Sequence, residues 1–170
     1  IYKQTGVVEN VTFTDVTFDN DSSLNATSSE SAFINADNLF NLKITNCEFN
    51  LKRLSAGIFI TFGKAFITNS SFSGAKQLAI FFRQSCQNSI ISGCSFTGKE
   101  GGDAAIFLET GCSNIAITNN TFDGSDAYDP TIVDAGKLIS AVQFDAKVHN
   151  CTISGNTVSG YGMGFRLELG

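Results

Sequence analysis

The chain has 170 residues, 42% of them hydrophobic and 16 of them Phe, with a formal net charge of −5. That composition suits one packed domain, and it excludes a disordered segment or a nucleic-acid surface, which needs clustered Lys and Arg. No stretch approaches the ~18 apolar residues of a membrane span, and a single Pro among abundant Gly, Asn, Ser and Thr favours turns and short strands over long helices.

Read in order, the sequence repeats itself. A nine-residue pattern, Asn-x-x-(Ile/Phe)-(Thr/Ser)-(Asp/Asn/Gly)-x-x-(Phe/Val), first occurs at Asn10–Phe18. A polar, Ser/Asn-rich insertion at Asp19–Ser31 reads as a surface loop, and the row Ala32–Ala36 reads as a strand. The pattern returns at Asn41–Phe49, then at Lys64–Phe72 with Lys in the leading place, after the row Gly57–Thr61. Row Ala79–Arg83 precedes the copy Asn88–Phe96, and row Ala105–Glu109 precedes Asn114–Phe122. The longest loop, Asp123–Ile139, leads to row Ala141–Asp145, copy Asn150–Val158 and a last row, Gly162–Arg166. The final pattern residues, Phe18, Phe49, Phe72, Phe96, Phe122 and Val158, are spaced by 31, 23, 24, 26 and 36 residues, as insertions at one loop would produce.

Each copy reads as two short strands around a turn. Phe13, Ile44, Ile67, Ile91, Ile117 and Ile153 point inward, and Thr14, Thr45, Thr68, Ser92, Thr118 and Ser154 point outward. Asp15, Asn46, Asn69, Gly93, Asn119 and Gly155 sit where a left-handed residue turns the chain. In the preceding rows the second and fourth residues are expected inside: Phe33/Asn35, Ile58/Ile60, Ile80/Phe82, Ile106/Leu108, Val142/Phe144 and Met163/Phe165. Three strands per coil and about six coils make an all-β, right-handed parallel β-helix, one domain over residues 1–170. The chain has no start Met and breaks off as a new coil begins, so it reads as a piece truncated at both ends.

Stacking turns sequence into columns about 4.8 Å apart per coil. The rows are expected to present outward a small column, Ala32, Gly57, Ala79, Ala105, Ala141 and Gly162. Beside it stand Ile34, Phe59, Phe81, Phe107, Gln143 and Gly164, then Ala36, Thr61, Arg83, Glu109, Asp145 and Arg166. Phe rings beside small residues offer sugars an apolar strip, and Arg and carboxylates offer hydrogen bonds to hydroxyls. Burial of the strip by a loop or a neighbouring subunit is the other reading. Glu109 and Asp145 on adjacent coils suit the ~5–5.5 Å separation of a retaining glycosidase pair. A ladder of ion pairs, Arg83–Glu109 and Asp145–Arg166, accounts for the same charges.

The remaining polar groups point elsewhere. Asp123, Asp126, Asp129 and Asp134 border the long loop and suit either a solvated turn or a weak cation site. His149, the only histidine, falls in a turn and reads as solvated surface. No Cys-x-x-Cys pair or histidine cluster is present, so no metal or cofactor is expected. Cys86 and Cys112 share a column with Leu39, Phe62 and Val148; Cys47 and Cys94 share one with Val16, Ser70, Asn120 and Asn156. All five cysteines are expected to be free, because side chains stacked in parallel point the same way instead of toward each other.

Rows such as Asn114-Ile-Ala-Ile-Thr-Asn-Asn-Thr-Phe122 and Asn150-Cys-Thr-Ile-Ser-Gly-Asn-Thr-Val158 resemble the repeats of the pectin-lyase-like β-helix superfamily. The resemblance covers nearly the whole chain. It implies a secreted carbohydrate-active enzyme or a phage tailspike, extracellular or on a virion surface, trimeric and bound to polysaccharide. The chain lacks the Asn-Thr-Asp, Asp-Asp and Gly-His-Gly set of polygalacturonases, and Asp129-Pro130 is followed by Thr131 where epimerases have Asp-Pro-His-Asp. The expected function is therefore polysaccharide binding, with hydrolytic or eliminative depolymerisation by Glu109 and Asp145 left open. Arg83, Arg166, Phe59, Phe81, Phe107 and Gln143 would hold the substrate. A non-catalytic shaft or adhesin, packed on sister subunits, is the alternative.

Overall fold

A computed structural model describes residues 7–20, 32–51, 54, 56–75, 77–97, 104–124 and 140–168. All strand pairing among them is parallel, coil upon coil. The anchor face stacks Thr17–Asp19, Glu48–Asn50, Ser71–Ser73, Ser95–Thr97, Thr121–Asp123 and Thr157–Ser159 in that order. A middle face carries Thr12–Thr14, Ile90–Ser92, Ala116–Thr118 and Thr152–Ser154, and a long face carries Leu78–Phe82, Ala104–Leu108, Ser140–Phe144 and Met163–Leu167. The strands Ala32–Thr45 and Ala56–Thr68 run through the corner and belong to both, which joins the two faces into one sheet.

The corners follow from backbone sterics. Asp15, Asn46, Asn69 and Asn119 have φ of 50–55°, and Gly93 and Gly155 have φ of 65° and 66°, the left-handed region that short polar residues and Gly tolerate. The leading Asn of the pattern does the same at the other corner: Asn10, Asn41, Asn88, Asn114 and Asn150 have φ of 52–60°. Lys64 replaces that Asn, and there the chain passes the corner as continuous strand, opposed by an irregularity between Leu39 and Leu42. Gly63 belongs to this close approach, since a Cβ on it would run into the backbone carbonyl of Leu39. Gly63, not Phe62, therefore joins Leu39, Cys86 and Cys112, because Leu39 pairs with Gly63 and Phe62 stays exposed.

Inside, the anchor residues form a continuous aromatic stack. Centroids of Phe18, Phe49, Phe72, Phe96 and Phe122 are successively 4.5, 4.6, 5.1 and 4.8 Å apart, with planes within 9° of parallel. Ile44, Ile67, Ile91 and Ile117 are fully buried beside them. Next to the aromatic stack runs a polar ladder. Ser70 Oγ accepts from the Cys47 N–H, Asn120 Oδ1 from Cys94 N–H, and Asn156 Oδ1 from Asn120 N–H. The amides also donate backward, Asn120 to the Ile91 carbonyl and Asn156 to that of Ile117. These bonds satisfy buried backbone groups that the turn leaves outside the strand ladders. All five cysteines are free thiols, four of them buried.

The first row of the long face differs from the sequence expectation by one residue and the last row by two. Ile34 pairs with Ile58 and Ala36 with Ile60, so Ile34 is inward and Asn35 outward beside Phe59. At the far end Phe165 pairs with Val142, Arg166 with Gln143 and Leu167 with Phe144. The one-residue slip turns Ile34 inward and Asn35 outward, whereas the two-residue slip keeps Phe165 inward, in the place expected for Met163, and puts Arg166 in the place expected for Gly164. The Ala/Gly column also has another role than an outward floor: Ala79, Ala105 and Ala141 belong to the main core, and a Cβ on Gly57 would meet Leu51 and Phe72. Small residues are needed there because the chain bends into the sheet against the aromatic stack.

Candidate functional site

Two outward columns of the long face hold the expected site residues. The first, in the corrected register, is Asn35, Phe59, Phe81, Phe107, Gln143 and Arg166. Phe81 and Phe107 stack at 5.1 Å with planes 1° apart and are half-buried, whereas Phe59 meets Phe81 edge-on and is only 5% exposed. With Ala56, Leu78 and Ala104, Phe59 forms a second apolar cluster outside the helix core. Gln143 is 4% exposed. Part of the strip is thus covered, and the two coplanar rings remain partly accessible.

The second column is Asp37, Thr61, Arg83, Glu109, Asp145 and Glu168. Backbone bonds set this register: Arg83 N–H donates to Ile60, Glu109 to Phe82, Asp145 to Leu108 and Glu168 to Phe144. Glu168 occupies the place expected for Arg166. Arg166 instead belongs to the aromatic column and pairs sideways with Glu168, Nη2 to Oε1 2.7 Å. The Asp145–Arg166 rung of the expected ladder is therefore replaced, while Arg83–Glu109 forms, Nε to Oε2 3.4 Å. Arg83 also stands 6.0 Å from the Phe59 ring centroid, within reach of a cation–π attraction.

Glu109 and Asp145 are neighbours on adjacent coils, as expected. The Thr110 hydroxyl donates to Asp145 Oδ2 at 2.9 Å, and the Ala146 N–H donates to Oδ1 at 2.7 Å. These bonds, Thr110 foremost, hold the Asp145 carboxyl below its ordinary range, so it is ionised at neutral pH. Such a group can serve as base or nucleophile; a general acid would need the opposite shift. Gln143 Nε2 donates to Glu168 Oε1 at 3.1 Å, tying the two columns together. Sequence reasoning missed Glu168 and Thr110. Glu168 could have been found from the alternation Phe165, Leu167, which puts Arg166 and Glu168 on the same outward side.

Asp126, Asp129 and Asp134 and most of the loop 123–139 lie outside the described residues, as does the insertion over 21–31. Asp123 ends an anchor-face strand near Tyr161, whose burial pushes its hydroxyl up to about 12. His149 is exposed, its Nδ1 3.1 Å from the Lys147 carbonyl.

A family model described as right handed beta helix region matches residues 2–168, nearly the whole chain. The chain belongs to the right-handed β-helix family. Comparison with curated proteins and with solved structures returned no match. Family membership accounts for the stacked coils and their hand. It does not choose an activity, because function in such folds lies in the side chains grafted on the coils.

Proposed function

We propose that the long face binds polysaccharide, and that the protein acts outside the cell or on a virion surface. The observation that carries this reading is the pair of coplanar, half-buried rings Phe81 and Phe107 beside the in-register polar column Arg83, Glu109 and Asp145. A ring offers the apolar face of a pyranose a stacking partner, and polar groups one coil away meet its hydroxyls. The repeat of about 4.8 Å per coil is comparable to the rise of one sugar along an extended chain. Cleavage is the finer version of this reading. Asp145, ionised, would act as base or nucleophile, with Glu109 on the adjacent coil as the second carboxyl group.

The test is binding and depolymerisation of a bacterial surface-polysaccharide panel by wild type, Phe81→Ser, Glu109→Gln and Asp145→Asn. Binding lost in Phe81→Ser supports the site. Cleavage lost in both amide variants, with binding kept, makes the carboxylates catalytic. Full cleavage in both variants removes them from the chemistry.

A shaft packed on sister subunits is a second reading, because the partly accessible, coplanar rings Phe81 and Phe107 on an outward face also suit an apolar contact with a neighbouring chain. It predicts a trimer in sedimentation that dissociates on Phe81→Ser, with no wild-type glycan binding.

A further inference from the structure

We infer that the long face selects polysaccharides that lack carboxylates and bring hydrogen-bond donors, hydroxyl or amino groups, and that it discriminates against polyuronates. This rests on the glycan reading above and names the substrate class. Across the two outward columns, four carboxylates (Asp37, Glu109, Asp145 and Glu168) face two guanidinium groups, Arg83 and Arg166. Both guanidinium groups are turned to carboxylates of the same face, Arg83 to Glu109 and Arg166 to Glu168. The neutral donors are committed too. Thr61 donates to Asp37, Thr110 to Asp145 and the Gln143 amide to Glu168.

The acceptors, in contrast, are in surplus. Gln143 is 4% exposed, and its Oε1 is a buried carbonyl oxygen with no hydrogen-bond partner among the described residues. Its own Nε2 bonds Glu168, so the amide lies against the charged column. Glu109 Oε2 is likewise buried and unmatched as a hydrogen-bond acceptor, since its 3.4 Å approach to Arg83 is an ion pair without hydrogen-bond alignment. The accessible carboxylate oxygens of Asp37, Glu109, Asp145 and Glu168 are left to accept from a ligand that brings donors, and hydrogen bonds to a charged group are the stronger kind. A sugar hydroxyl, an amide N–H or an ammonium is such a donor. A uronate brings further acceptors and negative charge to a face already negative, and like charges brought together at an interface oppose binding.

The experiment uses affinity electrophoresis of the whole chain in gels containing acidic capsular polysaccharides, the same polymers after carboxyl reduction, and a chitosan. Each acidic polymer and its reduced form share linkage and shape, so the pair isolates the carboxylate. Reduced forms retarding the protein at least about tenfold more strongly than their acidic parents is the expected result. Glu109→Gln/Asp145→Asn should narrow that gap toward parity. Salt-sensitive retention by chitosan identifies ammonium as the donor; salt-insensitive retention by reduced polymers identifies hydroxyl. Acidic parents bound as tightly as, or more tightly than, their reduced forms would overturn the selectivity while leaving the glycan site standing. Failure of every polymer to retard protein with an intact β circular-dichroism spectrum would overturn the glycan reading, and the selectivity with it.

Discussion

Replacing Phe96 by Ala tests the aromatic stack at an enclosed point between two neighbouring rings. Phe96 is 1% exposed and lies between Phe72 at 5.1 Å and Phe122 at 4.8 Å. Removing the ring forfeits its transfer energy and opens a cavity that the coils above and below cannot collapse, because backbone hydrogen bonds hold their spacing. Phe→Ala at such sites costs about 3–5 kcal/mol. For a chain of this size each kcal/mol corresponds to roughly 2–4 °C, so melting should fall by about 6–20 °C. Phe165 provides the control: it is 43% exposed at the last row of the long face, and its replacement by Ala should cost only about 1 kcal/mol. Thermal melts followed by far-ultraviolet circular dichroism, with urea titrations for the free energies, separate the two. Melting temperatures within 2 °C of each other, on the order of 1 kcal/mol or less, would refute the argument that the anchor column carries the core.

Ile117→Asp should be far more damaging than Thr118→Asp, because Ile117 is fully buried and Thr118 faces outward, where its hydroxyl meets that of Ser92; comparable melting temperatures would contradict the period-two register. Thiol titration under denaturing, non-reducing conditions should find five free thiols, and a count of three would contradict the parallel orientation of Cys86 and Cys112. Asp145 has its carboxyl pKa lowered by folding, so its contribution to stability is present above the unfolded value and is lost as pH falls through the folded one. Thr110→Val should therefore raise the Asp145 pKa toward the ordinary carboxylate range and reduce acid tolerance. Carbon-detected titration of the side-chain carboxyl reads this directly, and an unchanged midpoint would remove Thr110 as the cause.

The coil architecture was legible because its signals are local and repeat. An Asn, Asp or Gly at each turn, an inward Ile or Phe two residues before it and an inward Phe or Val three residues after it specify both corner and register, and the structure follows them at every copy of the pattern. The long face was less legible at its ends. Aligning its rows by their small residue made Ala32 equivalent to Gly57, yet Ala32 pairs with Ala56 and the corner place belongs to Phe33. The same habit cut the last row at Arg166 and left Glu168 out of the charged column. Loop lengths differ from coil to coil, so spacing could not decide an offset of one residue in the first row or two in the last; the inward pairs Ile34/Ala36 and Phe165/Leu167 could. Glu109 beside Asp145 followed from stacking alone. The bonds of Thr110 and Gln143 depend on side-chain reach, which a column alignment does not contain.

The polar ladder inside the helix has a direction. In each of its rungs a side chain from the later coil closes an amide of the earlier one: Ser70 for Cys47, Asn120 for Cys94, Asn156 for Asn120. A coil emerging from the ribosome is thus one acceptor short until its successor arrives, and a buried amide left unsatisfied is unfavourable. Synthesis from the N-terminus then adds coils as a mason adds courses, each locking the one beneath, and the youngest course always remains the loosest. Truncating the chain between two coils should loosen the new terminal coil specifically, and leave those laid earlier as firm as before.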